Sequence, residues 1–267
     1  MTKLNEDWEF DGTNLTTYAY YIRALGAAEQ VPARRGENVV IPSRTGRHHV
    51  AKKIDERRLT LALQVTDRHP TTGAASATQL KSNVDALKKL FAKEGQHTLK
   101  HQLPGTETRQ AEAEVAGVVE FQPGGPSHYD LVVEFVFADP LWYAGTATTV
   151  GPTTLTQSPQ NITVTNAGTW QSEQATITAT GPMVDPKFTI GSVWVQYAGT
   201  VSAGGTLTLD CADWTATIGT ANVGGGVTHS GALRWLVIPA GANTFTVTGS
   251  AYDVSTAVTV TFTAPYI

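Results

Sequence analysis

Cysteine is almost missing from this chain: Cys211 stands alone among 267 residues. One thiol cannot build an intrachain disulfide framework, and folding in a reducing cytosol is the simple expectation. Long apolar runs are missing too. No stretch approaches the length of about 18 residues needed to cross a bilayer as a helix, so no membrane span is expected. The opening residues, MTKLNEDWEF, are too polar and acidic to read as a signal peptide. A net charge of −4 and a pI near 6.0 offer no bulk attraction to nucleic acid or to an anionic membrane.

The sharpest shortage is of charge in the second half. Beyond residue 150 the charged side chains are Glu173, Asp185, Lys187, Asp210, Asp213, Arg234 and Asp253, seven of the 19 basic and 23 acidic residues of the chain. Thr, Gly, Val and Ala take their place. Such a surface suits a compact β-sandwich or a domain that spends its life beside other protein. The change in composition follows residues 128–143, HYDLVVEFVFADPLWY, a half-buried strand that stops at Asp139-Pro140 and ends in Trp142-Tyr143. We therefore read two domains, 1–150 and 151–267, joined by the small, polar stretch 144–160 with its two prolines.

What is present in the first domain is alternation. Leu59, Leu61, Leu63 and Val65 share a face against Thr60, Ala62 and Gln64. Val115, Val119 and Phe121 oppose Glu112, Glu114 and Glu120. Tyr129, Leu131, Val133, Phe135 and Phe137 oppose Asp130 and Glu134. Period two with one polar face means antiparallel strands covering a core on one side. Residues 17–25, 37–42 and 96–103 are weaker strand candidates. Residues 76–93 break the rhythm: Leu80, Val84, Leu87 and Phe91 recur at helical spacing, Ser76 can cap the start and Gly95 can end it. That stripe predicts one amphipathic helix laid over a sheet.

The second domain reads as about eight short Thr- and Val-rich strands. They are expected near 162–165, 175–179, 188–197, 206–210, 214–218, 233–238, 245–248 and 258–262, separated by Gly, Pro, Asn and Asp turns. No helix is expected in it.

No catalytic constellation emerges. His48-His49 lacks a third ligand at metal-site spacing. Asp210-Cys211 has no paired base, and a cysteine in a Thr-rich strand behaves as a small hydrophobe. His229 sits in the Gly-rich loop 224–231, which follows no βα unit and matches no phosphate cradle. Glu112 and Glu114 repeat along one strand face as solvating groups. No enzyme activity, metal or cofactor is expected.

Two features suggest partners. Residues 31–58 carry Arg34, Arg35, Arg44, Arg47, Lys52, Lys53, Arg57 and Arg58, diluted by Glu37, Asp55 and Glu56, with Pro42 and Gly46 marking a turn or hairpin tip. This is either a solvated loop or a projecting arm that docks on an acidic neighbour. It has no Phe, Tyr or Trp to stack bases. In the second domain Trp170, Trp194, Tyr197, Trp214, Trp235 and Tyr252 either fill core and strand edges or stack on sugars. Trp214 beside Asp213 and Trp235 beside Arg234 are the best sugar-contact candidates.

The order of the parts carries a resemblance. A WxFDG-like start (Trp8, Phe10, Asp11, Gly12) is followed by the strand-rich domain with one helix, then Ala138-Asp139-Pro140-Leu141-Trp142-Tyr143. The second domain opens on Val164-Thr165-Asn166-Ala167-Gly168-Thr169 and later carries Leu236-Val237-Ile238-Pro239-Ala240-Gly241-Ala242-Asn243. This resembles the distal tail proteins of long-tailed, non-contractile bacteriophages. The resemblance implies a mainly β chain. A tail-tube-like β-sandwich or partial barrel with one flanking helix comes first, and a galectin-like antiparallel β-sandwich follows.

It further implies a structural virion protein of the tail tip, assembled in the host cytoplasm. A homohexameric ring would join the tail tube protein to the tail-tip hub protein, with the tape measure protein as a further partner. DNA would pass through its channel without specific binding. On this reading Arg34, Arg35, Arg44, Arg47, Lys52 and Lys53 form the arm that reaches an adjacent subunit or ring. Trp142 and Tyr143 pack where the two domains meet. The family supplies no catalytic residue, and a galectin-like shape does not imply sugar binding. The alternatives are a carbohydrate-binding module, with Trp214 and Trp235 as its contacts, and a tail-tube or baseplate component of a related injection machine.

Overall fold

The computed structural model describes residues 7–24, 31–42, 45–69, 71–103, 107–231 and 235–267. The chain divides into two compact units, Met1–Gly145 with Ile267, and Thr146–Tyr266. Both are built almost wholly from antiparallel strands, and none of the sheets closes on itself.

In the first unit the strand order is Thr13–Asn14, Asp7–Phe10, His97–Gln102, Thr108–Pro123, His128–Phe137, Arg57–Thr66 and Ala19–Ala24. The 16-residue strand Thr108–Pro123 does two jobs. Its first half, Thr108 to Ala113, pairs with His97–Gln102, while Glu114 to Ala116 and Glu120 to Pro123 pair with His128–Phe137. The register slips between Ala116 and Glu120, where Gly117 takes a φ of 75° that a side chain would resist. The bulge lets one strand bend from one layer into the next.

Alternation does what the sequence expects in Arg57–Thr66: Leu59, Leu61, Leu63 and Val65 are buried. Leu131, Val133, Phe135 and Phe137 of the neighbouring strand join them. Phe10 lies 5.1 Å from Phe135 and 6.0 Å from Phe91 between ring centroids, and Phe91 lies 6.1 Å from Phe135. One aromatic cluster thus locks both layers to the helix, and each buried ring contributes about 1.5–3 kcal/mol.

The helix runs Ala77–Phe91, capped by Ser76, whose side chain accepts from the Gln79 amide at 3.1 Å. Its buried face holds Leu80, Val84, Leu87 and Phe91, as the periodicity requires, and also Leu90 and the polar Asn83.

The second unit stacks two sheets. One has the order Thr148–Thr154, Ala257–Phe262, Thr176–Thr180, Thr206–Asp210, Thr215–Ile218 and Ala221–Asn222. The other runs Gln160–Asn166, Gly241–Ser250, Met183–Ile190, Val193–Tyr197 and Val227–His229, with Thr200–Val201 beside Met183–Ile190. Ile177, Leu207, Leu209, Val258, Val260 and Phe262 from the first sheet meet Val164, Phe188, Ile190, Phe245 and Val247 from the second in one core.

Three expectations are corrected here. Residues 148–154 are not linker but an edge strand, with a register shift between Val150 and Thr153 that accommodates Gly151-Pro152. Residues 188–197 are a hairpin of two strands that turns at Gly191. Within 233–238, the described residues make a single isolated bridge, Ser172 to Ile238, and no strand.

Candidate assembly surfaces

The basic stretch forms two short ladders of one hairpin. Arg34–Arg35 pairs with Lys53–Ile54, and farther out Val39–Val40 pairs with Arg47–His48. Asp55 donates its amide to the Ala33 carbonyl at 2.8 Å and closes the base. Arg34, Arg35, Arg47, Lys52 and Lys53 are all exposed, and Arg44 lies outside the described residues. The hairpin also exposes Val31 at 64%, Val40 at 61% and Val50 at 39%. Exposed valines interleaved with arginines and lysines make a surface with both apolar contact area and positive charge to offer.

At the root of this hairpin the two adjacent arginines part ways. Arg58 points outward and bridges Glu56 at 2.8 Å and Glu134 at 3.3 Å, and these carboxylates raise its already high pKa. Arg57 is only 3% exposed. Burial, with Arg109 nearby, pulls its guanidinium down to about 10, still charged at neutral pH. Acidic side chains lie on the strands of the same unit: Glu112, Glu114 and Glu120 are exposed.

The sequence motifs resolve into turns and plugs. At the WxFDG start, Trp8 and Phe10 are fully buried, and Asp11 and Gly12 take φ of 47° and 74° to make a tight turn. Asp11 then holds Lys93, past the end of the helix, and sits 3.3 Å from His97. In the motif ending the first unit, Asp139 accepts from the Leu141 amide at 3.1 Å and from the Tyr143 hydroxyl at 2.6 Å. Trp142, 3% exposed, lies 5.1 Å from Phe137 and 6.1 Å from Trp8, so its ring belongs to the aromatic core of the first unit.

Asn166 is buried and fully engaged. Its amide donates to the carbonyls of Trp170 at 2.9 Å and Ile238 at 3.0 Å, and its oxygen accepts from Gly168 at 2.9 Å. In the late motif, Asn243 donates to the carbonyls of Pro239 at 2.7 Å and Gly241 at 2.8 Å, tying off a turn around Gly241. Each motif is a backbone device rather than a reactive group.

The two sugar-contact candidates differ. Trp235 is 5% exposed and belongs to the sandwich core, and its neighbour Arg234 lies outside the described residues. Trp214 is 47% exposed and has a φ of 56°, an uncommon backbone state for a bulky residue. The structure does not bring them together as one aromatic surface. Cys211 is buried, and burial pushes its thiol up to about 12, beyond nucleophilic use at neutral pH. Among the described residues no group of three His, Cys, Asp or Glu side chains could hold a metal ion, and His48 and His49 are exposed.

Sequence reasoning missed Asn83, the burial of Arg57 within the basic stretch, and the packing of Trp8 on His101, 4.0 Å between centroids and 2° from parallel. Asn83 reaches back to the carbonyls of Thr66 and Arg68, and Trp8 meets a ring on another strand, so no local pattern announces these contacts.

No protein-family model and no curated protein matches this chain. Among solved structures it is similar to the Dit (gp 19.1) protein of phage SPP1, described as a paradigm of the hub adsorption apparatus in phages that infect Gram-positive hosts. That likeness has a TM-score of 0.67 at 14% identity and covers 98% of this chain and 99% of that one. It is also similar to chains of the phage p2 baseplate in its activated conformation. With strontium the TM-score is 0.45 at 10% identity, over 97% of each chain; with calcium it is 0.43 at 10%, over 97% of this chain and 98% of that one. Both units therefore take the fold of the SPP1 Dit protein.

Proposed function

We propose that this chain is a structural distal tail protein of a siphophage. It would form a homohexameric ring that joins the tail tube to the tail-tip hub and lets DNA pass without reading it. The observation that carries this reading is the end-to-end likeness to the SPP1 Dit fold, in which neither chain has a large part left over. The order of the motifs supports it, because each motif has a fold-determining role here. Its place would be the virion tail tip, with the tube, hub and tape measure proteins as partners. The first unit supplies the ring, and the second remains a galectin-like sandwich with no role in sugar binding assigned to its core tryptophan.

The exposed hairpin is the natural ring contact. Its arginines and valines fit an acidic, partly apolar surface on the next copy, and Glu112, Glu114 and Glu120 give each copy acidic groups to offer. The test is particle mass and negative-stain imaging of the purified chain and of its Arg34→Glu/Arg35→Glu variant. The wild type should form rings, and the variant should lose them with an unchanged thermal midpoint, since exposed substitutions usually change stability by no more than about 0.5 kcal/mol. A wild type that stays monomeric at high concentration and is absent from virions would rule the reading out.

One feature favours a second reading. Trp214 keeps its indole in solvent from a left-handed turn position, where Gly or Asn is easier to accommodate. A single-tryptophan sugar contact beside Asp213 would explain that choice.

A further inference from the structure

A sheet edge is a row of unpaired amides and carbonyls, and folded proteins usually blunt it with charge, proline, a bulge or brevity. The second unit does so at three of its four edges. Thr148–Thr154 carries Pro152 and a register shift, Ala221–Asn222 has two residues, and Val227–His229 has three. In the first unit, the edge strand Ala19–Ala24 has a register shift after Ala19 and carries Arg23. The fourth edge of the sandwich, Gln160–Asn166, has none of these devices. It is seven residues long, QNITVTN, without charge, proline or bulge, and pairs in unbroken register with Gly241–Ser250 on one side only among the described residues.

We infer that Gln160–Asn166 is a docking edge for the same strand of a second copy. The strand is its own complement. Set antiparallel about Thr163, Gln160 faces Asn166, Asn161 faces Thr165, Ile162 faces Val164, and Thr163 faces itself. Ile162 and Val164 point into the core, 8% and 0% exposed, while Asn161, Thr163 and Thr165 are exposed. Pairing in that register keeps apolar groups with apolar groups and polar with polar, as register requires when one face is buried. It also sets no charge against a like charge. A charged strand from another protein would find no countercharge anywhere along the edge. The contact is isologous, so it pairs copies two by two and joins two assemblies of whatever size the first unit builds. It does not depend on the ring reading.

Thr163 gives the test, since across the free edge it meets only its own counterpart, and its exposed side chain has the uncharged Thr244 as its opposite number within the sheet. Thr163→Lys and Thr163→Glu each place like charges opposite one another, which a strand pair resists, whereas an equimolar mixture places opposite charges there. Native mass spectrometry or light scattering of the full chain should show each single variant at half the wild-type mass, and the mixture restored to it. Wild type and Thr163→Lys of equal mass would overturn the proposal. So would a mixture that stays at half mass, because the loss would then come from the substitution and not from the pairing. A wild type that forms no ring yet shows the twofold charge effect at Thr163 would count against the ring reading alone.

Discussion

Asn83, one per cent exposed on the buried face of the helix, donates its side-chain amide to the Thr66 carbonyl at 2.8 Å. The same nitrogen reaches the Arg68 carbonyl at 3.0 Å, and Gln79 donates to the Asn83 oxygen at 2.8 Å. The helix is thus pinned to the chain just where the strand Arg57–Thr66 runs out and needs partners for its last carbonyls. Asn83→Ala would leave both carbonyls unsatisfied and should cost about 1–3 kcal/mol. Asn83→Leu, although apolar, should not recover the loss. Chemical denaturation followed by the helical circular dichroism signal measures both; a variant as stable as wild type would show that water replaces the amide at no cost.

The Asp11 turn carries an acid dependence. Its hydrogen bond and charge contact with Lys93, with His97 adding to them, hold the Asp11 carboxyl below the ordinary value of 3.8. A folded pKa below the unfolded one means stability that is present above the unfolded value and is lost as pH falls through the folded one. Asp11→Asn should therefore lower the thermal midpoint near neutral pH, and the gap to wild type should close as the pH drops below the usual carboxylate range. Parallel midpoint-against-pH curves would contradict this.

Cys211 should behave as a buried hydrophobe. With its thiol pushed up to about 12, mainly by burial and further by Asp210 against a backbone hydrogen bond at Leu236, almost no thiolate exists at mildly alkaline pH. A colorimetric disulfide reagent should label the native chain negligibly and label it fully in denaturant. Rapid labelling without denaturant would mean that the core around Leu209 and Leu236 opens locally.

The two sandwich tryptophans should give opposite phenotypes. Trp235→Ala empties a core position and should destabilise the second unit by about 3–5 kcal/mol. Trp214→Ala removes an exposed ring and should leave the fold standing. A glycan array on wild type and Trp214→Ala then decides the second functional reading: binding that survives the substitution, or none at all in wild type, removes it.

Much of the architecture was legible because it rests on periodicity. Leu59 to Val65 alternate and are buried alternately; Leu80, Val84, Leu87 and Phe91 recur at helical spacing and face inward. What stayed illegible rests on partners distant in sequence. Asn83 reads as a polar interruption until the carbonyls of Thr66 and Arg68 arrive beneath it. Trp214 and Trp235 each stand beside a charged residue, and only the packing of the sandwich decides that one is solvent-facing and the other core. Thr148–Thr154 reads as linker because Gly151-Pro152 is a breaker by itself, and the bulge between Val150 and Thr153 that tolerates it shows only in the register against Ala257–Phe262. The basic hairpin was visible as composition, but its exposed valines gain meaning only once the ladders place them on the surface.

The bulged strand Thr108–Pro123 has a consequence for cooperativity. Because one continuous backbone runs through both ladders, melting of either frees half of this strand and pulls on the end that the other holds. Amide exchange should then report a single opening event from Ala111 through Phe121, with no partly open state between them, and a load applied to one layer would be carried to the other along one continuous backbone.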